Sequence, residues 1–108
     1  MTTTKKRNSG SVVRPPVHPG RLLRRELDAA GVSLNALARA TRMPVSRVSA
    51  IVNGQRSISA ETALRLAHYF GTTATYWLNL QMHYDLELVR RQDGAQIAKE
   101  VTALALAS

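Results

Sequence analysis

Between Ser33 and Asn53 the chain reads Ser-Leu-Asn-Ala-Leu-Ala-Arg-Ala-Thr-Arg-Met-Pro-Val-Ser-Arg-Val-Ser-Ala-Ile-Val-Asn, closed by Gly54. Pro44 is the strongest constraint in it. A residue without an amide hydrogen suits only the start of a helix, so the stretch divides there into two short helices. Ser33 is an N-cap for the first, because its side-chain oxygen accepts an orphan amide of the first turn. Leu37 and Ala38 give that helix a small apolar face. Thr41-Arg42-Met43 forms the turn. Val48 and Ile51 sit three apart on the second helix and face inward. That leaves Val45, Ser46, Arg47, Ser49 and Ala50 around its outer side. Asn53-Gly54 ends it, with Gly54 able to take positive φ.

Two helices joined by a tight turn are the helix-turn-helix pattern, whose second helix can enter a DNA major groove. A plain helical hairpin would share this outline, so the surrounding chain has to separate the two. The chain has 108 residues, enough for one domain and a tail. No apolar run approaches the roughly 18 residues of a membrane span. The basic N-terminus has no apolar segment after it, so it does not read as a secretory signal. With no cysteine, disulfides and thiolate sites are excluded, and a cytoplasmic location is expected.

Net charge is +8 and unevenly placed. Residues 1–59 carry eleven Lys or Arg against two acids, Glu26 and Asp28, a balance of +9. Residues 60–108 carry four against five, a balance of −1. The positive field therefore belongs to the half that holds the helix pair and favours a polyanion there. An acidic protein or an anionic membrane would also satisfy it.

The rest of the chain fits around that pair. Residues 1–14 have almost nothing to bury and read as a flexible arm with Lys5, Lys6, Arg7 and Arg14. Pro15-Pro16 and Pro19 bracket an extended entry at Val17-His18. A first helix is expected from Gly20 to Ala30. Leu23 and Leu27 line its inner side, Leu22 lies at the edge, Arg21, Arg24 and Arg25 lie elsewhere, and Gly31 ends it. Past Gly54 a loop carries Gln55, Arg56, Ser57 and Ile58. Ser59 caps a helix from Ala60 to Phe70. Glu61 in its first turn favours the positive helix end, and Ala63, Leu66, Ala67 and Phe70 form its buried face. Gly71 ends it, and Thr72 or Thr73 caps a fifth helix from about Ala74 toward Arg91. Tyr76 and Trp77 read as the aromatic plug of a small core. Asp93-Gly94 is expected to break the pattern. A last helical segment follows from Ala95 to Ala107, with Ile97, Val101, Leu104 and Ala105 on one side. The domain is complete without it, so its apolar side needs cover from its own chain or a partner.

No catalytic set emerges. His18, His68 and His83 fall on three different elements without metal-ligand spacing, and there is no His-Glu-x-x-His, no phosphate loop and no nucleophile elbow. The acids are too few for a two-metal nuclease. A binding surface, not an enzyme, is expected, with no cofactor and no metal.

Val-His-Pro-Gly at 17–20, Leu-Leu at 22–23, Leu-Asn-Ala-Leu-Ala-Arg-Ala at 34–40, Ile-Val-Asn-Gly-Gln-Arg at 51–56, Ile-Ser-Ala-Glu-Thr-Ala-Leu-Arg-Leu-Ala-His-Tyr-Phe-Gly at 58–71 and Tyr-Trp-Leu-Asn-Leu-Gln at 76–81 resemble the HigA family of antitoxins. These are similar to Xre/Cro-type helix-turn-helix proteins. The resemblance covers about residues 15–88 and implies an all-α, five-helix, lambda-repressor-like domain. Here that domain spans 15–91, with a flexible arm at 1–14 and an additional C-terminal helix at 92–108. It also implies a homodimer on palindromic double-stranded operator DNA, and a partner that is a small RelE-like, ribosome-dependent mRNA-cleaving toxin of the HigB group. By that pattern the reading helix is Pro44 to Val52. Val45, Ser46 and Ala50, flanked by Arg47 and Ser49, fall where bases are read. Ser33, Asn35, Arg42, Asn53, Gln55 and Arg56 fall where the DNA backbone is held.

Three positions depart from the family. Leu34 stands where a phosphate-touching Gln is usual. Arg42 stands at a turn position often filled by Gly, where positive φ costs a non-glycine residue roughly 1 kcal/mol. Val45 and Ala50 make the reading surface nearly apolar, which favours thymine methyl groups and leaves Ser46 and Arg47 as its chief polar readers. Two rival functions stay open on sequence alone: a stand-alone repressor without a toxin, and a protein-interaction module that holds an acidic partner on the basic face.

Overall fold

Four helices begin with a side chain that accepts an otherwise orphan backbone amide. In the computed structural model, which describes residues 14–105, these are the starts of α1 (Pro19–Ala30), α2 (Leu34–Thr41), α4 (Ala60–Phe70) and α5 (Ala74–Glu100). His18 Nδ1 accepts from Gly20 at 2.9 Å. Ser33 Oγ accepts from Ala36 at 3.0 Å, Ser59 Oγ from Thr62 at 3.2 Å, and Thr73 Oγ1 from Tyr76 at 3.1 Å. The remaining helix, α3 (Val45–Val52), starts after Pro44, which caps it without a side-chain bond. At the other ends, Gly31, Arg42 and Gly71 turn the chain away in the left-handed region. No strand occurs among the described residues.

The caps set the boundaries, but packing sets the orientations. A cap is worth about 1 kcal/mol, whereas each large apolar side chain taken fully from water contributes roughly 1.5–3 kcal/mol. Leu23 and Leu27 of α1, Leu37 of α2, Val48 and Ile51 of α3, Leu66 of α4 and Trp77 of α5 are all buried to near completion in one cluster. Met43 and Ile58, in the connections, close it. The packed pairs are α2 with α3 and α4, α1 with α3 and α5, and α4 with α5. The Trp77 indole N–H donates to Thr72 Oγ1 at 2.9 Å, so its burial leaves no orphan donor.

Several expected boundaries shift. α1 begins at Pro19, one residue early, and Thr41 belongs to α2, where its hydroxyl donates to the Leu37 carbonyl at 2.7 Å. The turn is therefore shorter than expected, and Met43 is buried in it. Asp93-Gly94 does not break the helix: α5 runs through it for 27 residues. A single glycine costs a helix about 1 kcal/mol relative to alanine, too little to outweigh the helix formers on both sides. The additional C-terminal helix is thus the far end of α5, and the boundary expected near residue 91 falls inside it. The helix ends at Glu100, Val101 is extended beyond it, and residues 102–105 form no helix or strand. Ile97, Val101 and Leu104 are exposed. Tyr76 is also exposed, packing edge-on against Trp77 from outside, so the aromatic plug is Trp77 with half-buried Phe70. Apart from Arg14, the basic arm lies outside the described residues, as do residues 106–108.

One close approach fixes α1 on α3. A β-carbon at Gly20 would lie 1.8 Å from the carbonyl oxygen of Ile51. Gly20→Ala therefore has to separate the two helices, and we expect it to cost about 3 kcal/mol, at the upper end for overpacking, measured by urea denaturation. His18, beside this contact, also packs edge-on against Tyr84 at 4.9 Å. Burial pushes the His18 imidazole below its usual range, against opposing pulls from Asp85 and the Arg56 backbone. The folded state thus prefers neutral His18, whose Nδ1 must stay unprotonated to accept from Gly20. Its stabilisation is complete above the unfolded value near 6.5 and is lost as pH falls through the lower folded value. Thermal melting should show Tm falling as pH drops below 6.5, and falling less in His18→Asn, which can cap without titrating.

Candidate nucleic-acid interface

α3 divides cleanly into two sides. Val48, Ile51 and Val52 face the core, and Val48 is entirely buried. Val45 and Ser46 on the opposite side are exposed, with Val45 retaining 45% of its surface, and Ser49 and Ala50 are half-buried flanks. None of the five residues expected to read bases lies inside the core. The outer side is small and nearly apolar, a shape that can approach base edges without desolvating a charge.

The six residues expected on the DNA backbone are all exposed. Ser33 Oγ is engaged as the α2 cap, and Asn35 follows it in the first turn. Arg42 holds φ 58° and ψ 39° at the end of α2, the one non-glycine residue at positive φ among those described. Asn53 ends α3, and its Nδ2 donates to Ser49 Oγ at 3.4 Å, so a residue expected on the DNA backbone touches one expected to read bases. Gln55 donates its amide to the Ala50 carbonyl at 2.8 Å, which folds the loop back under α3 and leaves the Gln55 and Arg56 side chains outside. Leu34 is half-buried and packs against the core, so this position adds packing where the family pattern has a polar contact.

Arg47 departs from the simplest expectation. It does not project freely from α3. Its Nη1 donates to Glu61 Oε1 at 3.3 Å, its side chain is only 22% exposed, and its Nε is buried without a partner. The other Glu61 oxygen accepts from Arg65 Nε at 3.3 Å and Nη2 at 3.1 Å. Arg65 Nη1 in turn donates to the Thr41 carbonyl at 2.9 Å. Hydrogen bonding to Arg65, with the charges of Arg65 and Arg47, holds the Glu61 carboxyl below its usual range. The Glu61–Arg65 pair is legible as an i, i+4 spacing on a helix. The reach of Arg47 across fourteen residues of chain is not.

Gln81 is a second residue that sequence reasoning missed. It is buried on α5, accepts the Ile58 amide at 2.8 Å and donates to Asp85 at 2.9 Å. It thereby anchors the end of the loop that carries Arg56. A polar side chain inside a helical core signals such a partner, because burial without one is costly.

Residues 23–77 match the family model described as helix-turn-helix. The chain is 46% identical over 84 residues to virulence-associated protein I of Dichelobacter nodosus, covering 77% of this chain and 78% of that one. Its fold superposes on an addiction module antidote protein of a HigA family from Coxiella burnetii with a TM-score of 0.81, at 49% identity, over 84% of this chain and all of that one. The chain belongs to the HigA family. Within that family, the Pseudomonas aeruginosa antitoxin HigA, solved with the higBA promoter, matches at a TM-score of 0.79 and 44% identity over 83% of this chain and 99% of its own. The HigA role is that of an antitoxin and transcription regulator, carried on an all-α Xre-type domain. Among the described residues no cluster of His, Asp or Glu could hold a metal, and no helix is long and apolar enough to cross a membrane.

The left-handed Arg42 stores conformational strain at the turn of the motif. Arg42→Gly should raise stability by about 1 kcal/mol, read from the midpoint of a denaturant titration.

Proposed function

We propose that this HigA protein is a homodimeric repressor that binds palindromic operator DNA upstream of its own gene and neutralises a small RelE-like mRNA-cleaving toxin. The observation that carries the DNA-binding half is the outward side of α3. Its Val45 and Ser46 are uncovered while Val48 and Ile51 anchor the helix from behind. In this reading Val45, Ser46 and Ala50 meet base edges, with apolar contacts directed at thymine methyl groups and Arg47 and Ser49 at the margins. Ser33, Asn35, Arg42, Asn53, Gln55 and Arg56 hold the sugar-phosphate walls and set register without reading sequence. Two copies place their α3 helices in major grooves one helical turn apart, about 34 Å centre to centre.

The toxin half rests on kinship. Relatives bear the names of addiction module antidote and antitoxin HigA, and one was solved with the promoter of its own gene pair. A protein of this kind acts in the cytoplasm, on the nucleoid. Mechanistically the reading needs no cofactor: occupancy of the operator excludes other proteins, and phosphate contacts supply most of the affinity.

The deciding experiment is a salt-titrated shift assay on the upstream region against random duplex, with and without the product of the neighbouring reading frame. We expect Arg56→Ala to weaken binding to both duplexes and to reduce the salt slope by about one ion. We expect Arg47→Ala to reduce discrimination between them. Equal binding of the wild-type protein to both duplexes, or no association with the neighbouring product, would refute the corresponding half.

A further inference from the structure

Arginines near a duplex are indiscriminate by default. A free guanidinium pairs with any phosphate, adds sequence-independent affinity and releases a counterion. Arg47 is not free. One of its terminal nitrogens is held by Glu61, and its inner Nε is buried with no partner. Leaving a buried donor unpaired is unfavourable, and a side chain placed only for folding would satisfy it or move it into water. The guanidinium is therefore restrained at one end and only 22% exposed, not extended into solvent.

The holder is itself anchored. Glu61 sits in the first turn of α4, with 59% of its side chain exposed, so solvent does not let it bind Arg47 strongly by charge alone. Its second oxygen receives two donors from Arg65, and Arg65 reaches the last turn of α2 through the Thr41 carbonyl. The carboxylate is thereby oriented from α4 and α2 before it meets Arg47 on α3. Glu61 joins α4 to α3 directly and, through Arg65, to the end of α2.

We propose that Glu61 is a positioning residue that determines specificity: by restraining Arg47 and offsetting its charge, it withholds a generic phosphate contact and reserves the remaining donors of Arg47 for the correct site. The inference rests on the operator reading above, and concerns how that interface discriminates.

The test measures binding of wild-type protein, Glu61→Gln, Glu61→Asp, Arg47→Ala and the double variant Arg47→Ala/Glu61→Gln to the upstream operator duplex and to a scrambled duplex of equal composition, across a salt series. Thermal melts establish that each variant is folded. Glu61→Asp keeps the charge at the start of α4 but is one methylene too short to keep both arginines. In both single Glu61 variants we expect affinity for the scrambled duplex to rise and the ratio of operator to scrambled binding to fall about tenfold, within the range of one specific contact. The salt slope on the scrambled duplex should steepen by about one ion as Arg47 is freed. The double variant should match Arg47→Ala alone, because the effect passes through Arg47. An unchanged ratio in Glu61→Gln, a wild-type ratio in Glu61→Asp, or a Glu61 effect that persists without Arg47 would each overturn the inference. A wild-type protein that does not discriminate between the duplexes would instead overturn the operator reading, and this inference with it.

Discussion

The start of α1 lies so close to the end of α3 that only a residue without a side chain fits between them. Gly20 against the Ile51 carbonyl sets the distance, and His18 and Gly54 fill the space beside it. Because α3 has eight residues and no side-chain cap of its own, it is not a stable helix in isolation. Its existence depends on what its inner side meets. Val48 and Ile51 on the core and the α1 contact at its end together hold it at one tilt. Every property of the outer side, from the exposure of Ser46 to the flanking of Ser49 and Ala50, is a consequence of that docking.

Around this helix the polar contacts have distinct tasks. Gln81 pins the loop after α3 from below, by accepting an amide that would otherwise be buried alone. Arg65 satisfies a carbonyl at the end of α2, where helix geometry leaves acceptors unpaired. Glu61 then couples Arg65 to Arg47. These are modest interactions singly, and their effect is geometric: they remove freedom from the side chains and loops that surround the proposed groove-facing surface. The polar network and the apolar core therefore act at different levels, one fixing helices and the other fixing what the helices present.

The later turns of α5 are the part of the fold least bound to this arrangement. Only Trp77 and Gln81 near its start are buried, and its later turns carry exposed Met82, Leu86, Val89 and Ile97. By sequence alone Asp93-Gly94 ends the helix, because that pair commonly marks a turn. The helix passes through because nothing at Gly94 demands an unusual backbone: a β-carbon there would meet only ordinary contacts with Arg90. A glycine signals a turn when its neighbours supply no competing helix, and here they do. Tyr76 illustrates a related limit. Two adjacent aromatic residues on a helix point in directions about 100° apart, so Trp77 entering the core sends Tyr76 to its edge.

What the sequence determined by itself was everything governed by local chemistry and periodicity. Ser33 and Ser59 marked helix starts through their side-chain oxygens, with Thr72 and Thr73 as alternatives for the last helix, and Gly31 and Gly71 marked ends through left-handed backbone. The inward spacing of Leu23 and Leu27, of Val48 and Ile51, and of Leu66 and Ala67 gave the core, and the uneven charge located the basic half. The family motifs located the proposed DNA-facing residues, all of which lie outside the core. Tertiary structure alone decided where long side chains end up. Arg47 bends to Glu61, Arg65 to the Thr41 carbonyl and Gln81 to the Ile58 amide, across 14, 24 and 23 residues of chain. Such partners become neighbours only after the helices have packed, and a flexible polar side chain with several possible partners chooses by proximity in space, for which linear sequence carries no periodic signal.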